Sequence, residues 1–150
     1  AEFNAAVDPE AVQRVLDAGV ELRMVGLDAC RQVRVHARDA DALRALGTAR
    51  AEVLADLLLG YVRIASPDGS LPMSLYDPTA AAALVAPQGL VFRPAHLVVE
   101  LQGRHTRGMT VVEWRVPRRA TANALIAQQA DEPLLRSVVL DALARAARED

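Results

Sequence analysis

Few side chains in this sequence carry groups suited to catalysis or tight polar binding, and they fall at separated places. Glu2 and Asn4 stand two apart at the start of the chain. A carboxylate accepts strong hydrogen bonds, and an Asn amide offers a donor beside an acceptor, so the pair is equipped for polar contacts without naming a partner. Read by themselves, the same residues describe a solvated chain end. Tyr76 and Asp77 are adjacent, with Pro78 behind them. An aspartate there reads by itself as a helix cap of the kind that Asp8-Pro9 announces. Asp28 falls where a strand is expected to end, a place where α/β proteins put sites, although a turn role is simpler. His36, His96 and His105 lack metal-ligand spacing and read as surface or strand-end residues. Cys30, with no Cys-His pairing legible, reads as a small buried filler. Trp114 reads as strand packing, and Arg104 and Arg107 as solubilising charges beside a hairpin.

The elements that must position these groups follow from local signals. Val7-Asp8-Pro9-Glu10 predicts a helix start, with Asp8 as N-cap, Pro9 in the first helical position and Val7 stapled onto Val12. Gly19 ends that helix. Leu22 to Leu27 is dense in apolar residues and predicts a buried strand of a parallel sheet. A short helix is expected over 39–46, then a longer one capped by Thr48 and running to about Ala65, with Leu54, Leu57, Leu58, Tyr61, Val62 and Ala65 as its apolar stripe. Ser66 to Pro72 is turn-rich and predicts a mobile loop. Asp77-Pro78 opens a small alanine-rich helix that Pro87 and Gly89 end. Strands are expected at 95–101, 109–115 and 123–127, the first two joined around Gly103 to Gly108. Asp131-Glu132-Pro133 caps a last amphipathic helix with Leu135, Val138, Val139, Ala142 and Leu143 on one face. No repeat, low-complexity tract or linker interrupts the chain, so one α/β domain over 1–150 is the expectation.

Composition narrows the classes of partner. A chain of 150 residues can bury roughly 70% of its unfolded surface, enough for a real core. Apolar residues make up 52% of it, yet no run approaches the roughly 18 needed to span a membrane. With a net charge of −2 and both signs interspersed, there is no basic footprint for nucleic acid or lipid. One cysteine excludes an internal disulfide and any cysteine metal cluster, which favours a reducing, cytoplasmic setting. The N-terminus has neither the basic start nor the apolar core of a signal peptide and reads as a chain entered midway.

Four stretches, taken in order, resemble the inosine-uridine-preferring nucleoside hydrolase family. They are Ala1-Glu2-Phe3-Asn4 leading into Val7-Asp8-Pro9-Glu10-Ala11, then Met24-Val25-Gly26-Leu27-Asp28, then Tyr76-Asp77-Pro78, and last Arg107-Gly108-Met109-Thr110-Val111-Val112. The resemblance covers nearly the whole chain, and it is to the C-terminal part of such enzymes. It implies a Rossmann-like α/β fold, a mainly parallel sheet flanked by helices, and calcium-dependent cleavage of the N-glycosidic bond of ribonucleosides. It implies that Glu2 and Asn4 bind ribose hydroxyls, and that Asp77 closes a Ca²⁺ site and touches the ribose diol. The family's other calcium ligands come mainly from an aspartate-rich DxDxxxDD motif, which this sequence does not contain. Many members carry histidine before the aspartate as the acid that protonates the departing base; here the residue is Tyr76, whose unperturbed phenol, with pKa about 10, gives up its proton reluctantly. Tyr76 is therefore either a hydrogen-bond donor to the base or an aromatic wall beside it.

Two functional expectations follow from different classes. In the first, the chain is a partial catalytic unit of a ribonucleoside hydrolase, with Ca²⁺ as cofactor, and it acts as a homo-oligomer or together with the missing N-terminal half. In the second, it is a non-catalytic remnant that keeps the sugar-binding side as a binding or scaffold module. Either way the isolated chain should expose apolar sheet edge and helix faces, and aggregate or need a partner.

Overall fold

The computed structural model describes residues 1–148. By their contacts the described residues divide into two compact units, one formed by residues 1–27 and 92–128, the other by 28–91 and 129–148.

The first unit opens with a short helix α1 (Phe3–Val7) and the helix α2 (Pro9–Asp17). Asp8 caps α2 as its sequence announces: its Oδ1 accepts from the Ala11 amide at 2.9 Å, with Pro9 at the first turn. Val7 stays 68% exposed, so the expected staple onto Val12 is not what anchors this start; Val12 turns towards the core instead. Strands β1 (Arg23–Met24), β4 (Leu90–Val99), β5 (Thr110–Glu113) and β6 (Ala124–Ala130) make a sheet in the order β1-β6-β4-β5. β1 runs parallel to β6 and β5 antiparallel to β4, so the sheet is mixed. Two-residue alternation along β4 buries Ala95, Leu97 and Val99 and leaves Val98 outward. Those three pack with Leu16 of α2 and with Ala124 and Ile126 of β6. At the mouth of β6, Asn123 substitutes for main chain: its Oδ1 accepts from the Leu97 amide at 2.7 Å and its Nδ2 donates to the Leu97 carbonyl at 2.8 Å.

β1 is shorter than the strand expected over 22–27. Its ladder aligns Arg23 and Met24 with Leu125 and Ile126 at the end of the sheet order, the Leu125 amide donating to the Leu22 carbonyl at 2.8 Å, and the chain then enters the helical turn α3 (Leu27–Cys30). An apolar run states burial, not pairing length, and here the pairing ends because the chain turns into α3 while β6 continues to Ala130.

The second unit holds a two-stranded antiparallel ladder, β2 (Arg34–Val35) with β3 (Met73–Ser74), and the helices α4 (Ala37–Arg44), α5 (Ala49–Ala65), α6 (Asp77–Val85) and α7 (Glu132–Arg148). α4 begins earlier than expected because His36 and Asp39 form a capping box, the Asp39 carboxylate accepting from the His36 amide at 2.8 Å. Thr48 caps α5, accepting from Ala51 N at 3.0 Å while its hydroxyl donates to the Ala147 carbonyl of α7 at 2.6 Å. The buried stripe of α5 is Ala51, Ala55, Leu58 and Val62, rotated from the one expected; Leu57 is 65% exposed. Small alanines let α5 approach α4 and α7 closely, and that packing outweighs the size of Leu57. Asp131 caps α7 through the Leu134 amide at 3.0 Å, and buried Leu135 packs where Gly89 leaves room: a Cβ on Gly89 would lie 2.6 Å from Leu135. Buried Asp39 is paired with Arg136 of α7. The Ser66 to Pro72 segment is an organised turn, with Ser66 Oγ accepting from Leu71 N and Asp68 from Ser70 N. No described helix is long and apolar enough to cross a membrane.

Candidate active site

Glu2 and Asn4 come together in the first unit. Glu2 is the N-cap of α1: its carboxylate accepts from the Asn4 amide at 3.0 Å, from the Ala5 amide at 3.3 Å and from the Asn4 side-chain Nδ2 at 3.3 Å. Three donors orient the Glu2 carboxylate, and the bond from Nδ2 leaves the Asn4 carbonyl oxygen as an acceptor. Glu2 is half-buried and Asn4 exposed. A carboxylate has about four lone-pair sites, so Glu2 retains capacity to accept from an added hydroxyl.

The turn around Gly108 holds α1 and α2 in place. Gly108 has φ +82° and lies under α1, where a Cβ would stand 2.8 Å from Ala6 Cα and 3.2 Å from the Ala5 carbonyl oxygen. Beside it, Arg107 grips both carboxylate oxygens of Glu10 on α2, at 2.7 and 2.9 Å, and donates to the Leu101 carbonyl at 2.8 Å. Those guanidinium bonds hold the Glu10 carboxyl below its ordinary range. The Arg107-Gly108 pair thus packs the hairpin turn against Ala5 and Ala6 of α1 and ties it to Glu10 of α2, a structural task and not mere solubility.

Tyr76 and Asp77 come together in the second unit, at the start of α6. Tyr76 is the half-buried N-cap and makes no side-chain capping bond; Asp77 takes the first helical position. Unlike Asp8, Asp77 caps nothing. Its exposed carboxylate has no hydrogen bond or ion pair among the described residues, yet its charge reaches Cys30 and Tyr61. Burial pushes the Cys30 thiol above its ordinary range, and Asp77 adds to the shift. Burial likewise raises the Tyr61 phenol, with Tyr76 and Asp77 contributing.

As a ligand for a hard cation, Asp77 fits: it is an oxygen donor, accessible and unspent by the fold. It is one donor of the six to eight that Ca²⁺ takes, and among the described residues no cluster of three or more His, Cys, Asp or Glu is arranged to hold a metal. A shallow groove of about 490 Å³ in the first unit, lined by Leu16, Gly19, Leu22, Pro94, Asn123 and Leu125 among others, includes none of the four candidate residues.

Comparison with known proteins decides the lineage. The profile described as inosine-uridine preferring nucleoside hydrolase matches residues 1–137. The chain belongs to that family. The pyrimidine-specific ribonucleoside hydrolase RihA of Salmonella schwarzengrund is 35% identical over 116 residues, 76% of this chain and 37% of its own length. The same-named protein of Escherichia coli O1:K1 is 31% identical over 145 residues, 95% of this chain and 47% of its own length. Among solved structures, a purine-preferring ribonucleoside hydrolase from Gardnerella vaginalis superposes with a TM-score of 0.84 at 24% identity, covering 99% of this chain and 47% of that one. The α/β fold is therefore that of the nucleoside hydrolases, and the chain spans less than half the length of these relatives.

For the remaining polar residues of this nucleoside hydrolase chain, the structure gives mostly local work. His36 stands at the N-cap position of α4, where its backbone amide donates to the Asp39 carboxylate, His96 Nδ1 lies 2.8 Å from the Thr121 carbonyl, and His105 is exposed in the turn before Arg107. Asp28 sits in α3, where its carbonyl accepts from the Gln32 side chain. Trp114 packs on the sheet core with the Arg93 guanidinium 5.2 Å over its ring. Residues that sequence reasoning passed over surround Tyr76 and Asp77: Tyr61, placed on a packing stripe, and Thr79, given no role. Both bond to main-chain carbonyls, for which no side-chain spacing is a signal.

Proposed function

We propose that this chain is the ribose-facing portion of a ribonucleoside N-ribohydrolase, which cleaves purine or pyrimidine ribonucleosides to ribose and free base. The observation that supports this reading is family membership across residues 1–137; the roles of Glu2, Asn4 and Asp77 within it rest on the resemblance of the short stretches that carry them. Glu2 and Asn4 orient the sugar hydroxyls, Glu2 as acceptor and Asn4 through its remaining amide groups. Asp77 contributes one oxygen to Ca²⁺ and a contact to the ribose diol. Asp77 would be this chain's ligand to Ca²⁺, and the chemistry the ion would supply when bound is a water of lowered pKa. Tyr76 presents its ring or hydroxyl to the departing base. The rest of the calcium shell and the base for water come from outside these residues, so the chain alone hydrolyses little and binds calcium weakly. A cytoplasmic role in purine and pyrimidine salvage, in a homo-oligomer, completes the proposal.

Sites built on buried hydroxyl contacts reject an analogue lacking the hydroxyl by roughly 10⁴-fold, because their polar groups are left unpaired. Inosine, uridine, adenosine and cytidine, each beside its 2′-deoxy form, should be offered to the complete gene product with calcium present. Release of base from ribonucleosides and near-silence on the deoxy series is expected. Sugar binding without turnover would point to a non-catalytic binding module, and equal rates on both series would remove Glu2 and Asn4 from the ribose contacts.

A further inference from the structure

The segment Ser74–Asp77, between β3 and α6, is held through its main chain in an unusual way. Three successive carbonyls each accept from a side chain, and the side chains come from three different helices. Ser74 accepts from the Tyr61 hydroxyl of α5 at 2.5 Å. Leu75 accepts from the Thr79 hydroxyl of α6 at 2.5 Å. Tyr76 accepts from the Cys30 thiol of α3 at 3.5 Å, and also from the Thr79 amide at 3.1 Å. The Leu75 amide in turn donates to the Val33 carbonyl at 2.8 Å. The Thr79–Leu75 bond is buried, with Thr79 0% and Leu75 3% exposed, and the bonds from Tyr61 and Cys30 are partly buried.

Ser74 and Leu75 precede the helix and lack helical partners for their carbonyls, which water could satisfy if the segment were merely a connection. Side chains satisfy them instead. The next residue is Asp77, whose carboxylate is exposed and takes no part in this anchoring. A fixed main chain that ends in an unspent carboxylate is the arrangement a preorganised ligand requires, since a donor must be held within about 0.5 Å by residues that are themselves locked.

We infer that Tyr61, Thr79 and Cys30 are positioning residues for Asp77, and that their hydrogen bonds to the Ser74, Leu75 and Tyr76 carbonyls set the affinity of its carboxylate for a hard divalent cation. This rests on the proposal that Asp77 is a calcium ligand. Tyr61→Phe keeps the ring and removes only the donor, Thr79→Val keeps the shape and removes the hydroxyl, and Thr79→Ser keeps the hydroxyl.

The test is Ca²⁺ titration by calorimetry on the complete gene product and these variants, beside Asp77→Asn, with thermal unfolding of each. Tyr61→Phe and Thr79→Val are expected to weaken Ca²⁺ binding roughly 10-fold or more, as loss of supporting hydrogen bonds around metal ligands does, and Thr79→Ser to bind as the parent. If Thr79→Val fails to fold, Tyr61→Phe decides the matter alone. Unchanged calcium affinity in Tyr61→Phe, even with a lowered melting temperature, while Asp77→Asn loses binding, overturns the positioning role and leaves the ligand intact. Unchanged affinity in Asp77→Asn, or no calcium binding by the parent protein, overturns the ligand and the inference with it.

Discussion

Two aspartates precede prolines in this chain and do different work. Asp8 lies outside its helix and satisfies the Ala11 amide; Asp77 lies inside the first turn of α6 and satisfies nothing. Stability and function should therefore separate at these positions. Asp8→Ala should cost about 1 kcal/mol, the usual loss of an N-cap, whereas Asp77→Asn should stay within about 0.5 kcal/mol of the parent. Chemical denaturation of both variants reads the difference, and an equal cost at the two sites would make Asp77 a cap after all. At this scale Glu2, Asn4, Tyr76 and Asp77 are singled out by the order of four short stretches, and their roles are proposals. Tyr61, Thr79 and Cys30 were not, because each donates to a main-chain carbonyl, and no pattern of side chains along the sequence encodes such a bond.

Elements carry the next layer. Gly108 needs a left-handed φ and also leaves no space for a Cβ beside Ala6 of α1. Gly108→Ala should cost more than the roughly 1 kcal/mol typical of a positive-φ site, since α1 must also move, and it should weaken ribonucleoside binding by displacing Glu2 and Asn4. A variant with unchanged stability and KM would contradict this packing. The neighbouring Arg107–Glu10 clamp predicts a pH dependence. Glu10 titrates lower in the folded protein than its ordinary value of 4.5, so its stabilisation is fully present above that value and is lost as pH falls through the lowered one. Melting temperatures of parent and Glu10→Gln should differ at pH 6 and converge in acid; a constant difference would show that the clamp does not follow the carboxylate. Helix starts at Asp8, Thr48 and Asp131 were legible because capping is local. The ladder of β2 and β3 was not: it joins Arg34 to Ser74 across forty positions, and two-residue strands carry no periodicity. The stripe of α5 turned because neighbours, not propensity, choose the buried face.

At the scale of the molecule, the chain spans less than half of its relatives' length and leaves large apolar side chains in solvent, among them Leu84 at 85%, Phe3 at 77%, Val85 at 75% and Ile64 at 71% exposure. Exposed apolar surface of this kind marks contact surfaces or aggregation. These 150 residues produced alone should self-associate at micromolar concentration, and a cooperative, soluble monomer in sedimentation would argue against a partial unit. The nucleoside hydrolase fold and family are established, and the claim that remains is catalytic. The direct measurement is kcat/KM on inosine, uridine, adenosine and cytidine for the complete gene product with calcium, beside its Asp77→Asn variant. Ribose and free base are expected from the parent, and a loss of roughly 100-fold or more in the variant. A folded, calcium-supplied parent that releases no base from any of the four, or a variant as active as its parent, would contradict it.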